Sequence, residues 1–167
     1  AGAAAFLAEV AGRVARHPRV LVPGGPVADA LGAQGCAVTA AGFDSPPTTR
    51  FDVVYAGSDV LSRCLVQREQ VGFVRRLAAR LRPGGALVVQ GYHPDPAGWA
   101  AHPLVTGQDR VRQTLFLADA RVPLRYVWPA ELDLMAELAE LALDSRWGGW
   151  YGEPVVCGGP AVSLYRS

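Results

Sequence analysis

Apolar positions recur with two different periods along the chain, and the changes of period mark out its elements. Over residues 3–16, Glu9, Arg13 and Arg16 break an alanine-rich run at helical spacing, which predicts an amphipathic helix ended by His17 and Pro18. "RVLV" (19–22) reads as a short buried strand, Gly24, Gly25 and Pro26 as a turn, and "VADALGAQ" as a helix closed by Gly35 in a left-handed cap. "CAVTAAGF" is a second strand and "DSPPTTR" (44–50) a loop by composition. "FDVVYAGS" is apolar enough for a third strand buried on both faces. In "REQVGFVRRLAARL", Val71, Val74, Leu77, Ala78 and Leu81 share one helical face that Phe73 widens, while Arg75, Arg76 and Arg80 lie away from it. "RPGG" stops this helix and "ALVVQGY" is a fourth strand.

Strands and helices that alternate over short links predict a mostly parallel sheet covered by helices. "DSPPTTR" runs directly into "FDVV", which leaves no room for a further strand and helix. The second strand is therefore expected at or near a sheet edge. Past residue 92 the pattern changes. "PDPAGWAAHPLVTGQD" is loop-like, "VRQTLFL" and "VPLRYVW" flank a short turn as a hairpin, and "PAELDLMAELAELA" is a helix with proline in its first turn. "LALDSRW" and "AVSLYRS" are closing strands. No repeat or linker divides the chain, so residues 1–167 are expected to form one domain.

Composition narrows the chemistry. Half of the 167 residues are hydrophobic, and the formal charge is only +1 with the arginines scattered, which argues against nucleic acid as a partner. Lysine, asparagine and isoleucine are absent, as a GC-rich genome would produce. Without lysine there is no Schiff-base catalysis. Cys36, Cys64 and Cys157 are far apart, and no His/Cys/carboxylate set has metal-ligand spacing, so no metal is expected. No apolar run is long enough to span a bilayer, and free thiols fit a cytoplasmic location. The chain starts without methionine, which suggests trimmed upstream sequence.

Several motifs resemble one family. "FDVVYAGSDVLSRCLVQREQVGFVRRLAARLRPGGALVV" is similar to the middle of class I S-adenosylmethionine-dependent methyltransferases. The run from "VPLRYVWPAELDLMAELAELALDSRWGGWYGEP" to "VSLYRS" resembles the ending of actinobacterial small-molecule members, and "YHPDP" has counterparts after the fifth family strand. The resemblance covers nearly the whole chain. It implies a Rossmann-like, doubly wound α/β fold with an antiparallel C-terminal strand, here lacking the third strand region.

The cofactor half departs from that pattern. Val22 stands where the family carries an acidic residue, Pro23 follows, and the glycine loop shrinks to Gly24 and Gly25, roughly three residues short. Ala41 and Gly42 stand where a carboxylate would accept both ribose hydroxyls, with Asp44 two residues late. The next helix, the third strand and its acidic residue are missing. Losing the ribose carboxylate forfeits about 1.5–3 kcal/mol per hydrogen bond. The resulting expectation is a degenerate site, Gly24, Gly25, Gly42 and Asp44 being its remnant, and no cofactor.

The substrate half keeps more functional groups. His93 leaves the fourth strand at the end where such sheets bind ligands, and is the candidate general acid or base. Asp95, Tyr92 and Asp59 are its candidate auxiliaries. The competing structural reading makes His93 a packed strand exit, Asp95 a turn residue and Asp59 a cap. Tyr55, Trp99, Tyr126, Trp150 and Tyr151 are candidate pocket residues, the last two over its mouth or at a subunit interface. Trp128 and Trp147 read as core, Glu131 and Asp133 as structural carboxylates at a helix start, and His17 and His102 as loop residues without partners.

Three functions follow from these readings. The first is a cofactor-independent cyclase or isomerase acting on a small organic molecule in specialised metabolism. The second is a non-catalytic partner subunit, with a homodimer or another protein docked on the exposed sheet edge. The third is a genuine methyltransferase with an atypical cofactor loop.

Overall fold

A computed structural model describes residues 2–44, 47–57 and 59–167. Ser45 and Pro46 of the predicted loop, and Ser58 of the "FDVVYAGS" run, lie outside the described residues. In chain order the elements are α1 (Gly2–Val14), β1 (Arg19–Val22), α2 (Pro26–Ala33), β2 (Ala37–Ala40), β3 (Phe51–Ala56), α3 (Gln67–Ala78) and β4 (Leu81–Tyr92). The second half adds α4 (Pro96–Trp99), β5 (Val105–Asp109), β6 (Thr114–Leu117), β7 (Leu124–Arg125), α5 (Pro129–Glu137), β8 (Ala142–Trp147) and β9 (Pro160–Arg166).

The six-stranded sheet has the order β2-β1-β3-β4-β9-β8. β1 pairs in parallel with β2 and β3, and β3 with β4, while β9 runs antiparallel to both β4 and β8. β2 occupies one edge, as the missing strand and helix required. All six residues of β3 are buried, because helices cover both faces of the sheet. Alternate strand residues feed two cores. Leu21, Val54, Leu87 and Tyr165 pack with Phe73 and Leu77 of α3 and Met135 of α5. Val20, Val53, Val88 and Leu164 pack with Leu7 and Val10 of α1 and Leu31 of α2.

The predicted left-handed cap of α2 is present. Gly35 has φ 85°, and the Cys36 amide donates to the Leu31 carbonyl across it. α3 ends at Ala78, short of "RPGG", which lies within β4; Leu81, expected on the helical face, already pairs with Phe51, and the register shifts before Val53 meets Ala86. Gly84 supplies the positive φ of 75° there, and a Cβ on Gly85 would press on the carbonyl oxygens of Arg82 (2.8 Å) and Asp52 (3.1 Å).

Other expectations are corrected. The stretch read as loop after residue 92 contains α4 and β5, and β5 joins the predicted hairpin in a second sheet of order β5-β6-β7. Helix α5 stops at Glu137, where the Leu141 amide turns back to the Ala136 carbonyl and Glu140 takes φ 61°. Trp128 and Trp147, expected in the core, are 38% and 39% exposed. Gln70, on the apolar face of α3, is fully buried. Among the described residues no helix is long and apolar enough to cross a membrane.

Candidate functional site

Strand order reverses between β1 and β3, so the chain leaves these neighbours in opposite directions and opens a crevice at their carboxyl ends. The β1 exit is Pro23, Gly24 and Gly25, with φ 107° at Gly24 and 76° at Gly25. Added Cβ atoms at Gly25 and Gly42 would meet nothing within 4 Å, and one at Gly24 only the Ala40 Cβ at 3.9 Å. The backbone here is therefore open to close approach, the property a cofactor-cradling glycine loop needs. Gly25 is also the N-cap of α2 and has no side chain to occupy its first turn. Val22, at the position of the family's acidic residue, is wholly buried. Asp44 is exposed and is the sole carboxylate between β2 and β3.

A cavity of about 580 Å³ lies beyond the carboxyl end of β4. Its floor comes from Val89, Gln90, Ala161 and Ser163 on β4 and β9, and its roof from Val105, Leu115, Leu117 and Leu124 of the second sheet. Trp99 and Tyr126 close one wall, their rings edge to face at 4.9 Å. Gln90 connects the cavity to the crevice. Its Oε1 accepts the Tyr55 hydroxyl at 2.5 Å, and that hydroxyl stands 3.7 Å from the Cβ position of Gly57 on the β3 exit. Burial pushes the Tyr55 phenol pKa up.

Two polar clusters hold the cavity together. Arg125 is buried and bonds to Gln70 Oε1 and, at 2.8 Å, to Glu131, which also accepts from Gln67 and Gln113 at 2.7 Å each. Burial alone would raise the Glu131 pKa, but the bonds from Gln113, Arg125 and Gln67 prevail and lower it. Arg146 bonds through Nε to Ser163 Oγ (2.8 Å) and through its Nη atoms to Asp133 (2.5 Å) and the Tyr165 hydroxyl (3.0 Å). Burial works against the Arg146 charge, yet Asp133 holds its pKa above the ordinary value. Burial, followed by the bond to Asp133, pushes the Tyr165 phenol far up. Glu131 and Asp133 are thus structural, as expected, but through these networks rather than through the helix dipole alone.

The structure brings only part of the predicted site together. Tyr92, Asp95, Trp99 and Tyr126 line the cavity. His93 does not: its ring lies edge-on to Trp128 at 5.7 Å, and its Nδ1 is 3.1 Å from the Pro94 carbonyl oxygen. Asp95 Oδ1 accepts the Gly98 amide at 3.0 Å, capping α4. Asp59 forms an ion pair with Arg63 outside the cavity. Tyr55 stands below the cavity beside Trp150, at 5.9 Å between ring centroids. Trp150 and Tyr151 do not cover the cavity mouth. Trp150 packs on Phe6 of α1 at 5.6 Å, and the exposed Tyr151 reaches towards Gly2. His102, expected without a partner, lines the cavity, and its Nδ1 accepts the Leu104 amide at 3.3 Å.

The sequence reading gave no role to Gln70, Gln90, Arg125 and Arg146. Gln70 had a visible signal, a polar residue within an apolar helical stripe. The other three are ordinary strand residues whose partners lie far away in sequence.

No protein-family model matches the chain, and no curated protein matches it in sequence. Solved structures do match. The CcbJ methyltransferase from Streptomyces caelestis is 25% identical, with a TM-score of 0.73 over 99% of this chain and 88% of that one. The 1,6-didemethyltoxoflavin-N1-methyltransferase from Burkholderia thailandensis, with bound 1,6-didemethyltoxoflavin and S-adenosylhomocysteine, is 16% identical, with a TM-score of 0.70 over 100% and 78%. A SAM-bound amino pentose methyltransferase from Micromonospora echinaspora, involved in calicheamicin biosynthesis, is 15% identical, with a TM-score of 0.61 over 99% and 90%. These neighbours overturn the expectation of a cofactor-free protein: all three are methyltransferases, two of them solved with S-adenosylmethionine or S-adenosylhomocysteine bound, and none lends support to a cofactor-independent cyclase. The open Gly24 and Gly25 cradle agrees with that correction. With its mostly parallel sheet and antiparallel C-terminal strand, the chain has the Rossmann-like α/β fold of class I methyltransferases.

Proposed function

We propose that the protein is an S-adenosylmethionine-dependent methyltransferase acting on a small organic molecule. The observation that carries this reading is the juxtaposition of an open glycine cradle at the sheet's switch point with a roofed cavity at the end of β4, joined by Tyr55 and Gln90. The fold neighbours support it.

The bound cofactor supplies an electrophilic methyl group. The backbone at Gly24 and Gly25 would hold its amino-acid end, and Asp44 would accept its ribose hydroxyls. Gln90 and Tyr55 fix the boundary between cofactor and substrate. Tyr92, Trp99 and Tyr126 orient the substrate, and the small sheet above them excludes water.

Calorimetry with S-adenosylhomocysteine tests the reading. Binding is expected in the micromolar range, about −8 kcal/mol. Asp44→Ala should weaken it by roughly 10- to 100-fold, the cost of one or two charge-assisted bonds. Absence of heat at millimolar ligand would refute the reading.

A further inference from the structure

With the cavity read as the substrate site, as proposed above, its lining sets what it selects. Its walls are apolar over Leu61, Val89, Leu115, Leu124, Tyr126 and Leu132, which favours burying apolar ligand surface. The charged side chains facing it already have partners. Arg146 is matched by Asp133 at 2.5 Å, so the pair presents no net charge. Asp95 is turned onto the Gly98 amide, and Tyr92 and Tyr126 are phenols. His102 Nδ1 accepts the Leu104 amide at 3.3 Å. An anion entering this space would lose its water without finding a free countercharge, and a cation would find only the Asp95 carboxylate, already bonded to the Gly98 amide.

Among the neutral polar groups of the lining, Gln90 is the one tied to the cofactor crevice through Tyr55. Gln90 Oε1 is held by Tyr55, and among the described residues its Nε2 has no partner. That amide faces the cavity next to the cofactor crevice, as a donor for an oxygen atom. We propose that the cavity selects an uncharged, largely apolar molecule of ring-system size, oriented by an oxygen function on the Gln90 amide.

Calorimetry on the cofactor-free chain at neutral pH tests this with three probes that share one ring system: naphthol, naphthoate and naphthylmethylammonium. Naphthol should bind at least about tenfold tighter than either ion. Gln90→Met should weaken naphthol and leave methylnaphthalene unchanged. Because that variant also strips Tyr55 of its acceptor, the Tyr55→Phe/Gln90→Met double variant repeats the comparison without the orphaned hydroxyl. Equal or tighter binding of either ion overturns the proposal. If the ammonium probe wins and loses its advantage in Asp95→Asn, Asp95 is the receptor. Failure of all three probes to bind overturns it as well. S-adenosylhomocysteine is titrated into the same sample. Its binding without a naphthol preference sinks this inference alone, and a naphthol preference without its binding sinks only the methyltransferase reading.

Discussion

Replacing Arg125 by methionine tests how the cavity roof is held. Arg125 is 6% exposed and lies between Leu124 and Tyr126, both in the cavity wall, and its amide donates to the Ser62 carbonyl at 2.8 Å. The substitution keeps most of the aliphatic packing and removes the guanidinium. Gln70 Oε1 then loses its donor in a fully buried position, and Glu131 loses its countercharge. Breaking a buried ion pair costs about 3–5 kcal/mol. Glu131 keeps the Gln67 and Gln113 amides, which places the cost near the lower end, about 3 kcal/mol. For a chain of this size each kcal/mol shifts Tm by about 2–4 °C, so melting should fall by roughly 6–12 °C. Urea unfolding followed by circular dichroism measures the same quantity at 25 °C. The Arg125→Met/Glu131→Gln double variant should lose less than the sum of the two single losses, by about 1 kcal/mol or more. A single-variant loss below about 1 kcal/mol, or strict additivity, would refute the buried network as the anchor of the roof.

The same carboxylate predicts a pH dependence. The Glu131 pKa is lowered by folding, so its contribution is complete above the ordinary glutamate value of about 4.3 and is lost as pH falls through the lower folded value. Urea melts from pH 6 to pH 3 should show the stability gap between the native chain and Glu131→Gln closing in acid; a gap independent of pH would contradict it. Gly25→Ala should cost about 1–3 kcal/mol through its backbone alone, since φ 76° with ψ −168° is a conformation essentially reserved for glycine while its Cβ would meet open space, and should also weaken S-adenosylhomocysteine. Gly42→Ala, equally open but without a positive φ, should leave melting within about 0.5 kcal/mol of the native chain. Tyr55→Phe should cost about 1 kcal/mol by thermal melt, from loss of the bond to Gln90; a larger loss would mean that the Gln90 acceptor is left dry.

The sequence by itself determined the sheet and its helices. The run "FDVVYA", apolar but for Asp52, reads as a strand covered on both faces and is one, all six residues being buried, and Gly35 caps the helix that its position suggests. The abrupt step from "DSPPTTR" to "FDVV" placed β2 at the edge, because chain length alone forbids another crossover. Two of the catalytic candidates, Tyr92 and Asp95, line the cavity, because strand ends are where this architecture opens its ligand space. Missing motif residues, however, did not reveal what the β1 loop can admit. That depends on the space before Gly24 and Gly25, which no spacing rule measures. Only the tertiary structure turned His93 towards Trp128, placed Trp150 against α1, and recruited Gln90 and Arg146 to the cavity. Side-chain direction at a strand exit is set by partners tens of residues away, such as Gly159 bonding the His93 amide and Ser163 bonding Arg146. Local sequence carries the period of an element, whereas these long-range hydrogen bonds decide which of its faces meets the cavity.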